Sequence, residues 1–228
     1  MANMKFGLFG RILTILAVIV AIIAGMAWVG SMQDRANTPQ MLKAPISESD
    51  WFEGGKDALV TLVEYSDFQC PTCAFYFSMT RSLLETYGTS LKVVYRHYPI
   101  TQLHANAQLA AQAAEAAGMQ GKFFVMHDLL FGNQQSWEGE ADPTNTFIGY
   151  ATSMGLNIEQ FTTDLTSKTV MNAIADDVKS GNASGVGGTP TFFLNGEQIV
   201  QNPRTVEAFK ALIDAALPPT NTEGTPTP

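Results

Sequence analysis

The sequence predicts an α/β domain with a helical insertion, preceded by an apolar N-terminal helix. Three observations predict this fold class. Two apolar runs at 59–65 and 91–97 flank a helical segment at 71–87, which is the pattern of a strand–helix–strand unit. Helical patterns then fill residues 103–181, before a strand hairpin and a last helix. Residues 12–30 contain no charged side chain.

Residues 12–30 are long and apolar enough to cross a bilayer. As a helix they would extend about 28 Å at ~1.5 Å per residue, close to the ~30 Å hydrocarbon thickness. Lys5 and Arg11 precede the segment, whereas one acid and one base cancel just after it. The positive-inside rule therefore places residues 1–11 in the cytoplasm and the remainder outside it. A cleaved signal peptide is the alternative, with a small-residue site at 25–27.

Two segments of low regularity are predicted around the domain. Residues 31–45 are small and polar without periodicity, which is typical of a linker. The domain itself is predicted at 46–217 and starts with an irregular lead-in over 46–57. Residues 218–228 form a Pro/Thr/Gly-rich tail that cannot bury a core.

The predicted helix 71–87 begins inside the motif Cys70-Pro71-Thr72-Cys73. Proline is favoured at the first helical position, so Cys70 is expected to be the N-cap. An N-cap side chain can accept a hydrogen bond from the N–H of Thr72 or Cys73, and the helix dipole favours negative charge there. Both effects would stabilise a Cys70 thiolate. The sequence therefore predicts Cys70 as the nucleophile and Cys73 as the resolving thiol.

The chain contains no cysteine besides Cys70 and Cys73. A disulfide across so short a loop constrains the unfolded chain by only roughly 2 kcal/mol, so reversible exchange explains the pair better than structural stapling does. A structural zinc site needs four nitrogen or sulfur ligands, and the chain adds only His97, His104 and His127 at unsuitable spacing. We therefore expect no metal and no cofactor, and we expect structural roles for these histidines.

The charge distribution argues against a nucleic acid partner. Two of the 13 basic residues lie in the first thirty residues, which contain no acid. The rest of the chain sets 21 acids against 11 bases, a formal charge of −10. An acidic domain of this kind repels phosphate backbones.

Capping and turn signals predict the helices of the insertion and the elements of the C-terminal part. The predicted helices of the insertion are 104–117, 122–130, 143–154, 158–168 and 170–179. Asn195-Gly196 lies between short apolar runs at 191–194 and 197–200, which predicts a hairpin. A last helix is predicted at 204–217.

Several spaced segments resemble the DsbA-like branch of the thioredoxin superfamily, and most closely its bacterial membrane-tethered members. The resemblance covers roughly 46–217. The segments are Val63-Glu-Tyr-Ser-Asp-Phe-Gln-Cys-Pro-Thr-Cys73, Tyr95-Arg-His-Tyr-Pro99, the Ala-rich and Phe-rich stretch 106–131, and Gly188-Thr-Pro-Thr-Phe-Phe193. The resemblance implies a thioredoxin fold in which residues 103–181 are inserted between the βαβ and ββα halves.

The resemblance also implies site residues. Thr189–Pro190 is expected to be a cis peptide bond beside the cysteines, although base rates alone favour trans. The backbone of Thr189 could then pair with an extended substrate, with Pro71 and Thr72 contacting it as well. The family has an acid at the position of Glu64, where burial would raise its pKa and allow proton transfer, while exposure at a strand edge is the alternative.

These observations predict a membrane-anchored thiol–disulfide oxidoreductase with its catalytic domain outside the cytoplasm. The leading hypothesis is a monomeric oxidase of exported cysteine-containing proteins, reoxidised by a quinone-linked membrane partner by family analogy. Thr72 stands where the best-studied oxidases carry histidine, so the direction of reaction stays open. A reductase or isomerase with the same site, a non-catalytic peptide-binding chaperone and a docking anchor are the alternatives.

Overall fold

The computed structural model describes residues 13–28 and 38–218. The first stretch is helix α1, at 13–28, whose side chains are exposed. Within these described stretches, no helix has both the length and the apolar character that crossing a bilayer requires. The predicted cytoplasmic segment 1–11, both ends of the predicted span 12–30 and the tail beyond 218 lie outside the described residues. The membrane anchor therefore stays a prediction.

A five-stranded sheet organises residues 40–218. The strands are β1 (Trp51–Gly54), β2 (Val60–Ser66), β3 (Leu91–His97), β4 (Thr191–Leu194) and β5 (Glu197–Gln198). Their order is β1-β3-β2-β4-β5, with β2 and β3 parallel and the other neighbouring pairs antiparallel. Parallel neighbours need a crossover, which helix α2 (Pro71–Tyr87) supplies. The predicted strand–helix–strand unit is thus present.

Helices fill the chain between β3 and β4, as predicted for residues 103–181. They are α3 (Ala107–Gly118), α4 (Phe123–Gly132), α5 (Gln134–Trp137), α6 (Thr144–Ser153), α7 (Ile158–Asp164) and α8 (Lys168–Ala183). Helix α9 (Val206–Ala216) follows the hairpin of β4 and β5. The predicted cap at Asn157 is present, because its side chain accepts a hydrogen bond from the Gln160 N–H at 3.0 Å.

The apolar core contains two large clusters. One packs α2 and α9 against the sheet and includes the buried Leu83 and Phe209. The other fills the helical insertion around Phe147 and extends to both Cys70 and Cys73. The core of the insertion therefore reaches the first turn of α2, where the reactive motif lies.

Two short elements were missing from the sequence prediction. The lead-in over 46–57, predicted to be irregular, contains β1, which pairs antiparallel with β3. Its position depends on distant contacts, since Trp51 stacks on Phe123 with ring centroids 4.7 Å apart. Helix α5 was also missed because it has only four residues. A single turn shows no measurable periodicity.

The predicted linker over 31–45 is too long at its C-terminal end. Residues 40–45 belong to the domain, because the Leu42 N–H donates to the Gly196 carbonyl at 2.8 Å and the Gln198 N–H donates to the Gln40 carbonyl at 2.8 Å. The buried Arg96 guanidinium also donates to the carbonyls of residues 44 and 45. Backbone pairing of this kind leaves no side-chain pattern for sequence reasoning to detect.

Candidate active site

Cys70 is the N-cap residue of α2, as predicted. Its backbone is extended, with φ −74° and ψ 120°, and Pro71 opens the helix. The thiol makes no N-cap hydrogen bond within standard limits. Instead, Cys70 Sγ lies 3.6 Å from the carbonyl oxygen of Thr189. The sulfur is thus held between the start of the helix and the loop before β4.

The two thiols have opposite acidities. A hydrogen bond from the Cys73 thiol is the largest cause that lowers the pKa of Cys70, from 9.0 to about 5, against the opposing effect of burial. The N–H groups of Cys73 and Thr72 and the side chain of Thr189 lower it further. Burial, followed by the charge of Cys70, raises the pKa of Cys73 well above 9.0. At neutral pH Cys70 is therefore a thiolate and Cys73 a thiol.

The order of acidities agrees with the roles predicted from the sequence. The main cause of the low pKa of Cys70, however, is not the helix start that the sequence predicted. Helix-start N–H groups contribute less to the acidity of Cys70 than the Cys73 thiol does. Accessibility supports the same order, because Cys70 is 6% exposed and Cys73 is 0% exposed. Of the two sulfur-bearing residues, Cys70 is the more exposed.

Glu64 lies in the interior rather than at a solvent-exposed strand edge. It is 4% exposed, and its Oε1 accepts a hydrogen bond from the Ser66 hydroxyl at 2.7 Å. Burial, together with the negative charge of Cys70, raises the pKa of Glu64 to about 7 against the opposing effect of the Ser66 hydrogen bond. Its charge in turn raises the pKa of Cys73. The carboxyl group is thus coupled electrostatically to both sulfurs.

The loop before β4 has the expected conformation. The Thr189–Pro190 peptide bond is cis, and Pro190 is buried. The Asn202 side chain donates to the Pro190 carbonyl at 2.9 Å and ties this loop to the chain that precedes α9. The Thr189 hydroxyl is buried and has no partner within standard hydrogen-bond limits among the described residues, but it lies close enough to Cys70 to lower the pKa of that thiol.

An open cleft lies beside the motif. Its volume is about 440 Å³, and it is lined by Pro71, Thr72, Phe75, Tyr76 and Arg204. Pro71 and Thr72 are exposed, and Phe75 is 51% exposed. The residues predicted to contact a substrate, Pro71 and Thr72, thus line a solvent-accessible cleft.

A family model described as Thioredoxin matches residues 47–215 of the chain. The chain belongs to the thioredoxin family. Its structure is similar to that of oxidised BdbD from Bacillus subtilis, with 22% identity and a TM-score of 0.68 over 78% of this chain and 97% of that one. It is also similar to alpha-DsbA1 from Wolbachia pipientis, with 19% identity and a TM-score of 0.65 over 77% of this chain and 94% of that one. The DsbA-like thioredoxin fold is therefore confirmed.

One curated relative is named as an ion antiporter. The Na(+)/H(+) antiporter NhaA 1 of Salinispora arenicola is 40% identical over 176 residues, which cover 77% of this chain and 26% of that protein. The present chain thus spans about a quarter of the length of the curated relatives it matches. The chain thus combines a thioredoxin fold with a thiolate and a thiol one helical turn apart, which is the arrangement that thiol–disulfide exchange requires.

Sequence reasoning missed the residues of this thioredoxin-family protein that hold the loop before Cys70. The Gln134 side chain donates to the carbonyls of Phe68 at 2.7 Å and of Cys70 at 3.1 Å. The buried Asp67 carboxylate accepts from the Gln69 N–H at 2.8 Å. Asp67 and Gln69 stood inside the motif already singled out, but Gln134 lies in the short helix that had no sequence signal.

The three histidines occupy structural positions, as expected. His97 Nε2 lies 2.9 Å from a Glu115 carboxylate oxygen. His104 Nδ1 lies 2.7 Å from Asp67, and His127 contacts the neighbouring aspartate at 2.9 Å. The His104 contact supports the loop before Cys70 through Asp67, so His104 acts on the site only indirectly.

Proposed function

We propose that this protein is a disulfide oxidase of exported cysteine-containing proteins, acting outside the cytoplasm. The observation that carries the proposal is the pKa of Cys70, lowered to about 5 in the dithiol form. Stabilising the thiolate stabilises the reduced enzyme, so the Cys70–Cys73 disulfide becomes a stronger oxidant. An extracytoplasmic location supports the same direction, because disulfides persist in oxidising compartments.

The oxidation takes place in two exchange steps. A substrate thiolate attacks Cys70 Sγ of the enzyme disulfide, so that a substrate–Cys70 bond forms and the Cys70–Cys73 bond breaks. Cys73 leaves with the electron pair and takes up a proton, since the pKa of Cys73 is well above 9.0. A second substrate thiolate then attacks the substrate sulfur and expels Cys70 as a thiolate. The substrate loses two electrons and two protons; one proton is on Cys73 and the other enters solvent.

Glu64 is suited to supply the proton that Cys73 needs. Burial raises the pKa of Glu64 to about 7, so the carboxyl group still carries a proton near neutral pH. A leaving thiolate with a high pKa departs slowly unless it is protonated. A buried acid coupled to Cys73 therefore favours the first exchange step, and solvent can restore its proton afterwards.

The proposal includes attachment to the membrane through the apolar N-terminal segment, with the domain outside the cytoplasm. The charge-free run 12–30 of the sequence supports it. A quinone-linked membrane protein would reoxidise the enzyme, which we propose acts as a monomer. An intact mass that lacks the first residues up to about 27, together with release into the soluble fraction, would overturn the anchor and favour a cleaved signal peptide.

The reduction potential tests the direction of reaction. After equilibration with glutathione buffers, we expect a value more positive than about −200 mV. A value near about −270 mV, as in thioredoxin, would refute the oxidase and favour a reductase.

Trapping tests the exchange itself. In a Cys73→Ala variant the Cys70 thiolate should attack disulfides of exported proteins, displace one substrate thiolate and remain as a mixed disulfide, because the variant lacks the resolving thiol. The matched Cys70→Ala variant should accumulate far fewer, since Cys73 is fully buried. If both variants hold the same proteins without covalent adducts, the chain is a peptide-binding chaperone.

A further inference from the structure

The cleft beside the motif contains a cation without a carboxylate partner. Arg204 is exposed, and it forms no ion pair with any described residue. The two other arginines that the structure describes behave differently. Arg81 pairs with Glu53, and Arg96 pairs with Asp50 at 2.7 Å. The free guanidinium of Arg204 is therefore available to a ligand.

The domain as a whole is acidic. Beyond residue 30 the chain sets 21 acids against 11 bases, so its net charge repels acidic peptides. Arg204 places a positive charge at the cleft itself. Burial raises the pKa of Tyr76, and the positive charge of Arg204 opposes that rise, which places the guanidinium close enough to act on the phenol.

The backbone around Arg204 is fixed in place. The Tyr76 hydroxyl donates to the carbonyl of Asn202 at 3.3 Å, and the Asn202 side chain donates to Pro190 at 2.9 Å. On the other side, the Thr205 hydroxyl accepts from the Ala208 N–H at 3.1 Å and caps α9. Arg204 thus extends from a segment anchored both to the loop beside Cys70 and to a helix start, so the backbone that carries the guanidinium is fixed relative to the cleft.

The cleft lies within reach of residues next to a bound cysteine. Pro71 and Thr72 form one wall and directly follow Cys70, while Phe75 supplies an apolar surface. An extended peptide advances about 3.3–3.6 Å per residue, so the one to three residues beside a captured cysteine extend over about 10 Å. A carboxylate on one of them can meet Arg204, and its neighbours can cover Phe75.

We propose that Arg204 selects substrates that carry an acidic residue within about three positions of the cysteine that pairs with Cys70. The inference rests on the proposed function, since it names the substrate class of the same site. The guanidinium offers paired hydrogen-bond donors to a carboxylate. Its positive charge repels a lysine at the same position of a substrate.

Two dithiol peptides that differ only by Glu or Lys beside the cysteine that attacks Cys70 test the proposal. We expect the oxidised enzyme to oxidise the Glu peptide about three- to tenfold faster at low ionic strength. The ratio should fall towards one in about 1 M salt, where the Debye length is about 3 Å. Arg204→Glu should invert the preference. Because each enzyme is judged by the ratio of its two rates, any change in the reactivity of Cys70 itself cancels.

Lys168→Glu is the matched control, because it makes the same change of charge at an exposed site on α8 outside the cleft. It should retain the preference for the Glu peptide. Equal rates for both peptides in the wild type, or equal effects of the two substitutions, would overturn the inference while leaving the oxidase intact.

The mixed disulfide that Cys73→Ala forms with the disulfide-bonded form of each peptide gives a second readout that is independent of the direction of reaction in the cell. In this step the Cys70 thiolate attacks the peptide disulfide, and the other peptide sulfur leaves as a thiolate. The Glu peptide should form the adduct faster and to a higher equilibrium level. If neither peptide forms an adduct or is oxidised, the proposed function itself fails, which is distinguishable from a loss of selectivity.

Discussion

Replacing Glu64 by Gln is expected to stabilise the reduced protein at neutral and alkaline pH. An unfolded chain releases the Glu64 proton near pH 4.5, whereas burial raises the pKa of Glu64 in the folded protein to about 7. Between these values the folded state retains a proton that the unfolded state has lost. The free energy of unfolding therefore falls as pH rises, by about 1.4 kcal/mol per pH unit.

The magnitude follows from the width of that window. About 2.5 pH units at about 1.4 kcal/mol each give about 3.5 kcal/mol, which is fully reached above pH 7 and is constant beyond that. Gln cannot ionise, yet its side-chain oxygen can still accept the hydrogen bond that the Ser66 hydroxyl donates at 2.7 Å. The two proteins should therefore have the same pH dependence below pH 4.5, and above pH 7 the variant should be the more stable by about 3.5 kcal/mol.

Urea unfolding of both reduced proteins from pH 4 to pH 8 measures this difference. Glu85→Gln is the control, because Glu85 is an exposed carboxylate on the same chain and should give a difference that stays within about 0.5 kcal/mol at every pH. The oxidised proteins should show a smaller step, since the negative charge of Cys70 contributes to the raised pKa of Glu64 only in the dithiol form. A difference between wild type and Glu64→Gln that does not change with pH would refute the reasoning.

The remaining predictions concern the thiols and the packing. The thiolate absorbance of the reduced protein should titrate with a midpoint of about 5. Cys73→Ala should raise that midpoint, because it removes the largest cause of the lowered pKa of Cys70. A wild-type midpoint near 9.0 would contradict the assigned acidity of Cys70. Gly118→Ala should cost about 1–3 kcal/mol in thermal or urea unfolding, since its Cβ would lie 2.5 Å from the ring of Trp51. Gly149→Ala meets no atom within 4 Å and should instead add about 0.5–1 kcal/mol, so equal effects at both positions would argue against the packing.

Much of the fold could be predicted because its signals are local. Helix α2 begins at Pro71 and ends at Tyr87, where proline and glycine act on the backbone of their own residues. The parts that were missed depend on distant partners. β1 is defined by its pairing with β3, and residues 40–45 by hydrogen bonds to the β4–β5 hairpin and to Arg96.

The site divides in the same way. Cys70, Cys73 and Pro190 could be identified from motifs, and their neighbours along the chain predicted which sulfur would react. Arg204 could not be connected with Cys70, because more than a hundred residues separate them along the sequence. The two meet in one cleft only because the start of α2 lies beside the segment that precedes α9 in the folded domain.

By itself the sequence determined that a thiol pair stands at a helix start, in the order of nucleophile and resolving thiol. Only the tertiary structure decided how acidic each group is. Desolvation of Glu64 and the hydrogen bond between the two thiols dominate the shifted pKa values. Both depend on which atoms surround a group once water has been excluded, and no local pattern of residues records that.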